Sequence, residues 1–292
     1  MTGLSILIPT YNGVCTALVS DLQRQAEALG VDYEIIVADD GSTDHATIEA
    51  NRRINDMSHC RYVECTANRG RAAIRNYLAR QAAQPWLLFV DSDMTVRHDD
   101  FLSRYARCDA KDVAYGGVSI GGDGSALSGN LRYRYEKHAE KDHRVECRQQ
   151  APYHDFHTAN FLIRRELMLA HPFDERFLHY GYEDVLLGKQ IKLLGIGIRH
   201  INNPLSFETF EDNATFVGKT EEGLRTLHEF RDELRGYSRM LDFEDRHRWM
   251  IPWLRVFHRL FGKTERRWLT GNHPSLTLFN MYKTGYYLTI RE

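Results

Sequence analysis

The chain has 292 residues, of which 42% are hydrophobic, 27% charged and 11% aromatic, a globular balance that excludes a disordered chain, a collagen-like repeat and a coiled-coil rod. A net charge of −2 and a pI near 6.7 leave no basic bulk of the kind that grips nucleic acid, so none is expected as a partner. Mean hydropathy is −0.49, and no apolar run approaches the roughly 18–20 residues that a membrane span requires.

The first 120 residues alternate in period. Leu4 to Pro9 reads as a short strand, and Val14 to Leu29 has helical spacing that Gly30 can end. Tyr33 to Ala38 reads as a second strand, followed by a turn in which Ser42 or Thr43 can cap the next helix. Arg61 to Glu64 is a third strand, Arg71 to Ala83 a helix, and Trp86 to Val90 a continuous, fully buried strand. This alternation predicts an α/β fold whose mostly parallel sheet is flanked by helices. Residues 120–130 form a Gly/Ser-rich loop, a helix follows Glu183 as far as Leu194, and helical patterns dominate from about Asn213 onward. The start lacks the basic leader and long apolar stretch of a secretory signal. Five scattered cysteines without a C-x-x-C argue against disulfides and zinc and for a reducing, cytoplasmic setting.

Three strands become polar at their carboxyl ends: Pro9-Thr10-Tyr11, Asp39-Asp40 and Asp91-Ser92-Asp93. In an open parallel sheet those ends lie along the edge where ligands bind. A single acidic strand end is more often a cap or a turn; three together point to a site. In extended chain Asp91 and Asp93 project from one face, and paired hard oxygens suit Mg²⁺ or Mn²⁺, which usually take one or two carboxylates plus substrate phosphates. A solvated loop pair is the competing explanation. Neither a G-x-G-x-x-G after the first strand nor a P-loop is present, which disfavours a dehydrogenase and a P-loop nucleotidase. Later, Glu183 and Asp184 open a helix. The macrodipole alone favours acids there, yet the same position keeps a carboxylate ionised, as a general base for a hydroxyl nucleophile must be.

The runs SILIPTYNG, ADDGSTD, Asn68-Arg69-Gly70 with Ala73-Ile74-Arg75-Asn76, DSD and FDERFLHYGYEDVLLG occur in that order. Together, across residues 3 to 230, they resemble the family 2 glycosyltransferases, which adopt the GT-A fold. The resemblance implies an inverting transferase that moves a sugar from a nucleotide diphosphate donor, usually a UDP-sugar, to an acceptor hydroxyl of a glycan or lipid-linked glycan. On that pattern Pro9, Thr10, Tyr11, Asp39 and Asp40 hold the nucleoside, and Asn68, Arg69 and Arg75 help bind the donor. Asp91 and Ser92 approach the ribose or the metal, and Asp93 binds Mn²⁺ or Mg²⁺ on the diphosphate. His157 to Asn160 line the donor sugar, Asp184 is the catalytic base and Glu183 stands beside the acceptor. Many members carry a histidine in an Asn-Pro-x-x-His context that completes the metal shell; here Asn203-Pro204-Leu205-Ser206 leads to Phe207. His154 and His157 lack the third spaced ligand that zinc needs. Two rivals stand beside this reading. A sugar nucleotidyltransferase usually carries a Gly-x-Gly-x-Arg loop that PTYNGV does not supply. A non-catalytic nucleotide-sugar-binding module finds its support in Phe207 and its difficulty in Asp93 and Asp184.

The same pattern divides the chain into a catalytic domain, 1–230, and a helical extension, 231–292. Within the extension, Arg246 to Leu269 hold seven Lys/Arg and one acid, a net +6. Trp249, Trp253, Phe257, Leu260 and Phe261 recur at three- or four-residue spacing among them. One reading is a helix packed on the protein with a solvated basic face; the other is a helix resting on an anionic membrane, on the inner face of a cell. Pro274 is expected to open a last helix that packs on the protein.

Overall fold

The computed structural model describes residues 1–154 and 156–290. Its strands are β1 (Gly3–Thr10), β2 (Asp32–Asp39), β3 (Cys60–Glu64), β4 (Trp86–Val90), β5 (Met94–Thr95), β6 (Val113–Tyr115), β7 (Val118–Ile120), β8 (Asn160–Arg164), β9 (Ile198–His200) and β10 (Leu205–Phe207). Seven form a sheet in the order β3-β2-β1-β4-β8-β6-β9, and β5-β10-β7 form a smaller one. In the large sheet β8 runs against both of its neighbours, while all other pairs are parallel. The mostly parallel α/β architecture expected from the periodicity is therefore the one observed.

Strand residues alternate between two hydrophobic layers. Leu4, Ile6 and Ile8 of β1 join Ile35, Val37 and Leu88 under Leu18, Val19 and Leu22 of helix Thr16–Leu29. Leu7, Ile36, Leu87 and Phe89 face the other way, against Ala72, Ile74 and Leu78 of helix Arg71–Gln81. Burial on both faces is why these strands read as unbroken apolar runs. Pro9 lies past the last β1–β4 pair, Leu7 with Phe89, so its missing N–H costs no bond to β4.

Helix ends differ in detail from expectation. Gly30, at φ 68°, does end the first helix. Helix His45–Arg52 is capped by Asp44, which accepts from the Ala46 N–H at 3.2 Å. Ser42 instead accepts from the Asn12 N–H at 2.7 Å, tying the loops after β1 and β2 together. The Gly/Ser-rich loop leads into helix Leu131–Ala139, capped by Asn130.

The C-terminal helices build two further clusters. Phe177, Leu186, Leu224 and Phe230 pack with Leu234, Leu241, Tyr287 and Leu288; Leu131, Phe216 and Val217 pack with Leu269, Phe279 and Tyr282. Helix Leu276–Thr289 is capped by Ser275, whose hydroxyl accepts from the Leu278 N–H, so Pro274 lies before it rather than in its first turn. Helices Ile251–Leu269 and Leu276–Thr289 approach closely at Gly285, where an added Cβ would stand 2.6 Å from His258 Nδ1.

Candidate active site

The carboxyl ends of β1 and β2 lie side by side, with Thr10 opposite Asp39. Thr10 is buried and its hydroxyl donates to the Gly13 carbonyl at 2.9 Å, while Tyr11 is exposed at the rim. Asp39 faces inward, accepting from the Ser42 N–H at 2.6 Å and from the Tyr62 hydroxyl. Asp40 accepts from the N–H groups of Arg69 (2.8 Å) and Gly70 (3.0 Å), immediately ahead of helix Arg71–Gln81. Burial raises its proton affinity in spite of those bonds. Asn68 caps the same turn by accepting from Gly70 N–H at 3.0 Å, and the Arg69 side chain is exposed. Gly41 and Gly70 have positive φ, and a Cβ on Gly41 would meet the Ala67 carbonyl carbon at 2.6 Å. Only glycine permits these loops to close on each other.

Asp40 thus anchors the start of the helix that carries Arg71 and Arg75, one turn apart on one face. Arg75 is fully buried and donates to Asp91 at 2.6 Å and to Glu183 at 3.4 Å; Arg71 donates to Asp91 at 3.2 Å and to Glu183 at 3.0 Å. Two guanidinium groups and two carboxylates so lock the tip of β4 to the start of helix Glu183–Leu193. Burial works against the Asp91 charge, but Arg75 and Arg71 override it and hold the carboxyl below the usual range.

Beside this cluster lies a cavity of about 460 Å³ onto which Asp91, Asp93, Glu183 and Asp184 all open. Asp91 and Asp93 are not extended, as their spacing suggested. The Met94 N–H bonds to the Asp91 carbonyl at 3.2 Å, making a turn that separates the two roles. Asp91 is consumed by arginines, and Asp93 is exposed to the cavity. Loss of solvation and the neighbouring Asp91 charge raise the Asp93 proton affinity. Asp184 accepts from the Val185 N–H at 2.8 Å and lies 3.3 Å from His157 Nδ1. Burial opposes its charge, yet the imidazole, the N–H and Arg71 outweigh burial and keep it below the usual carboxylate range. Gly181 and Tyr182, at φ 97° and 71°, turn the chain sharply into this helix.

Asn160 departs from its expected place. It is fully buried, donates to the carbonyls of Gly117 and Asn203 at 2.8 Å each, and accepts from Tyr105. With its amide consumed in the sheet, His157, Thr158 and Ala159 line the cavity instead. Because β8 is antiparallel, its start reaches the edge formed by the ends of its neighbours: Asp91 N–H bonds to Ala159 carbonyl at 3.2 Å. Ser92 lies near Gly13, outside the cavity lining. The expectation that Ser92 and Asn160 contact the donor therefore receives no geometric support.

For a divalent ion the donor set is narrow. Both Asp91 oxygens face arginine, and Phe207 lies under the Arg132 guanidinium, 5.2 Å from its ring centre. Among the described residues no three His, Cys, Asp or Glu side chains form a metal-holding group. Asp93 is the carboxylate that fits, in the manner of ions that take one protein carboxylate and complete their shell with phosphate oxygens and water.

Sequence reasoning missed the far wall. Arg132, Lys219, Phe279 and Lys283 all line the cavity. Arg132 pairs with Glu136 at 2.8 Å and Lys219 with Glu211 at 3.2 Å. Lys283 lies over the rings of Tyr135 and Phe279, 4.5 and 4.8 Å from their centres. Burial lowers its pKa to about 8.

The chain matches the profile of Glycosyl transferase family 2 over residues 5–170, more than half its length. It is a family 2 glycosyltransferase. This transferase is 27% identical to the chondroitin synthase of Escherichia coli over 239 residues, 70% of the chain and 34% of that protein. It is 41% identical to the validoxylamine A glucosyltransferase of Streptomyces hygroscopicus subsp. jinggangensis over 93 residues, 30% of the chain and 21% of that protein. The chain thus spans about a third or less of the length of these curated relatives. Among solved structures, residues 1–349 of S. aureus TarS superpose with a TM-score of 0.52 at 18% identity, covering 98% of this chain and 89% of that one. The superposition establishes the shared GT-A fold. No described helix of the transferase is long and apolar enough to cross a membrane.

Proposed function

We propose that the chain is an inverting glycosyltransferase that moves a sugar from a nucleoside diphosphate, UDP by preference, to a hydroxyl of a glycan or lipid-linked glycan. Residues 1–230 form the catalytic unit and 231–292 its helical extension. The observation that carries the reading is the convergence of Asp93 and Asp184 on one cavity beside the Arg71–Arg75–Asp91–Glu183 cluster. Five free cysteines agree with a cytoplasmic setting.

The nucleoside lies along the strand ends, against Tyr11 and the loops that Asp39, Asp40, Asn68 and Arg69 organise. Asp93 would hold a Mg²⁺ or Mn²⁺ ion, which would supply positive charge to offset the charge of the departing nucleotide. Asp184, ionised at neutral pH, takes the proton of the acceptor hydroxyl as that oxygen attacks the anomeric carbon from the face opposite the phosphate. The new C–O bond forms as the bond to the diphosphate breaks, and UDP leaves with the electron pair. One displacement with one base inverts the centre. Glu183, held by both arginines, fixes the helix start so that its neighbour faces the acceptor. Arg132, Lys219 and Lys283 lie on the acceptor side of the cavity.

Asp184→Asn tests the assignment directly. UDP affinity by calorimetry should stay within about twofold while turnover falls about 10²–10⁴-fold, the span of a general base. An unimpaired variant removes Asp184 from the mechanism, and a wild-type chain that binds UDP-sugar without turnover favours a binding module.

A further inference from the structure

Helix Ile251–Leu269 has three faces. Gly262, Glu265 and Leu269 are buried, with Leu254 and His258 half-buried above them, against helix Leu276–Thr289. A second face is apolar and in water: Trp249, just before the helix, Trp253, Leu260 and Trp268 have 74%, 75%, 69% and 67% of their surface exposed, with Val256, Phe257 and Phe261 among them. At about 3.6 residues per turn these side chains share one side. The third face is basic. Arg255 and Arg266 are tied down, to the Leu288 carbonyl and to Glu221, but Arg259, Lys263 and Arg267 are exposed beside the apolar stripe. Three of the chain's four tryptophans lie here, and the fourth, Trp86, is buried.

We infer that this face seats the protein on an anionic lipid bilayer, lying in the interface without crossing it. A contiguous apolar stripe of this size is not left in water by a monomer without a partner. Tryptophans beside a row of exposed cations match an interface in which rings enter the headgroup region and basic groups meet lipid phosphates. The seated helix packs directly on the one that carries Phe279 and Lys283 into the cavity. An acceptor held in the bilayer by a lipid would therefore be presented one helix away from the proposed acceptor side. Only that consequence rests on the proposed function; the membrane contact itself does not.

The native tryptophans report the event. Added to the full chain, phosphatidylcholine vesicles containing a minor share of phosphatidylglycerol should shift its fluorescence to the blue and carry it down on sedimentation. Phosphatidylcholine alone should do so far less, and high salt should weaken binding. Each basic residue near the surface contributes about fivefold, so Arg259→Gln, Lys263→Gln and Arg267→Gln together should lower the partition constant about a hundredfold. Trp253→Ser with Leu260→Ser should also weaken it, while both variants keep the wild-type circular dichroism and UDP affinity. Absence of binding to anionic vesicles, or binding indifferent to both variants, overturns the inference. So does a concentration-dependent dimer that Trp253→Ser dissolves, since the face would then meet a second copy. UDP affinity, measured separately, distinguishes a failure here from a failure of the transferase reading.

Discussion

Arg75 shows how the site is held at the scale of one residue. Its guanidinium is fully buried between Asp91 and Glu183, so removing it strands two carboxylates that have only the half-exposed Arg71 left. Arg75→Met should cost about 3–5 kcal/mol in urea unfolding, the scale of breaking a buried ion pair. A loss below about 1 kcal/mol would mean that Arg71 alone sustains the cluster. His157 lies within hydrogen-bonding distance of Asp184, the proposed base. With Asp184 held below the usual carboxylate range, its role as base predicts an acidic limb of kcat/KM below ordinary carboxylate titration. His157→Ala removes a group that favours the charged form, so the Asp184 pKa rises and the limb moves to higher pH. Activity then falls more at acid pH than at neutral pH; a stationary limb would release His157 from this role. The sequence reading passed over Arg71, although it stands four residues ahead of Arg75 and hence on the same helical face. The place of Asn160 was not legible, because nothing local says that its amide is consumed by Gly117 and Asn203, both more than forty residues away.

At the scale of elements, the contact between the last two long helices depends on hydrogen-sized side chains. A Cβ on Gly285 would meet the His258 ring and Cβ at 2.6–2.7 Å. Gly285→Ala should lower stability by about 1–3 kcal/mol, as overpacking does, read as a fall in the melting temperature. Strand and helix types were legible along the first ninety residues because burial on both faces leaves unbroken apolar runs between amphipathic helices. The direction of β8 was not: five residues, NFLIR, alternate the same way up or down the sheet. The Asp91–Met94 turn was hidden for a related reason. A D-x-D spacing reads as extended chain until the Met94 N–H is seen to close back on Asp91.

The whole molecule places the cavity at a seam between the sheet edge and the helices that follow residue 213. The side of the cavity formed by the strand tips was largely legible, since those tips align once the sheet is parallel. Its far side was not, because Lys283 meets Tyr135 across about half the chain. Filling the seam should stiffen the protein: with Mg²⁺ or Mn²⁺, UDP at about 100 times its Kd adds about 2.7 kcal/mol by mass action, read as a higher melting temperature. A chelator should weaken UDP binding in the wild type and make no difference in Asp93→Ala. Equal affinity with and without metal in the wild type would exclude Asp93 as the ion's carboxylate.

That seam has a genealogical corollary. The stretch shared with the family profile stops at residue 170, before the helix that carries Asp184 and before Lys219 and Lys283. Substitutions beyond that point can redraw the far wall around Lys219, Phe279 and Lys283, though not at Arg132, and leave the strand tips untouched. On the proposed assignment, kinship in the first part of the chain foretells a common nucleotide chemistry better than a common product, and a lineage that changes its recipient sugar should record the change in the second.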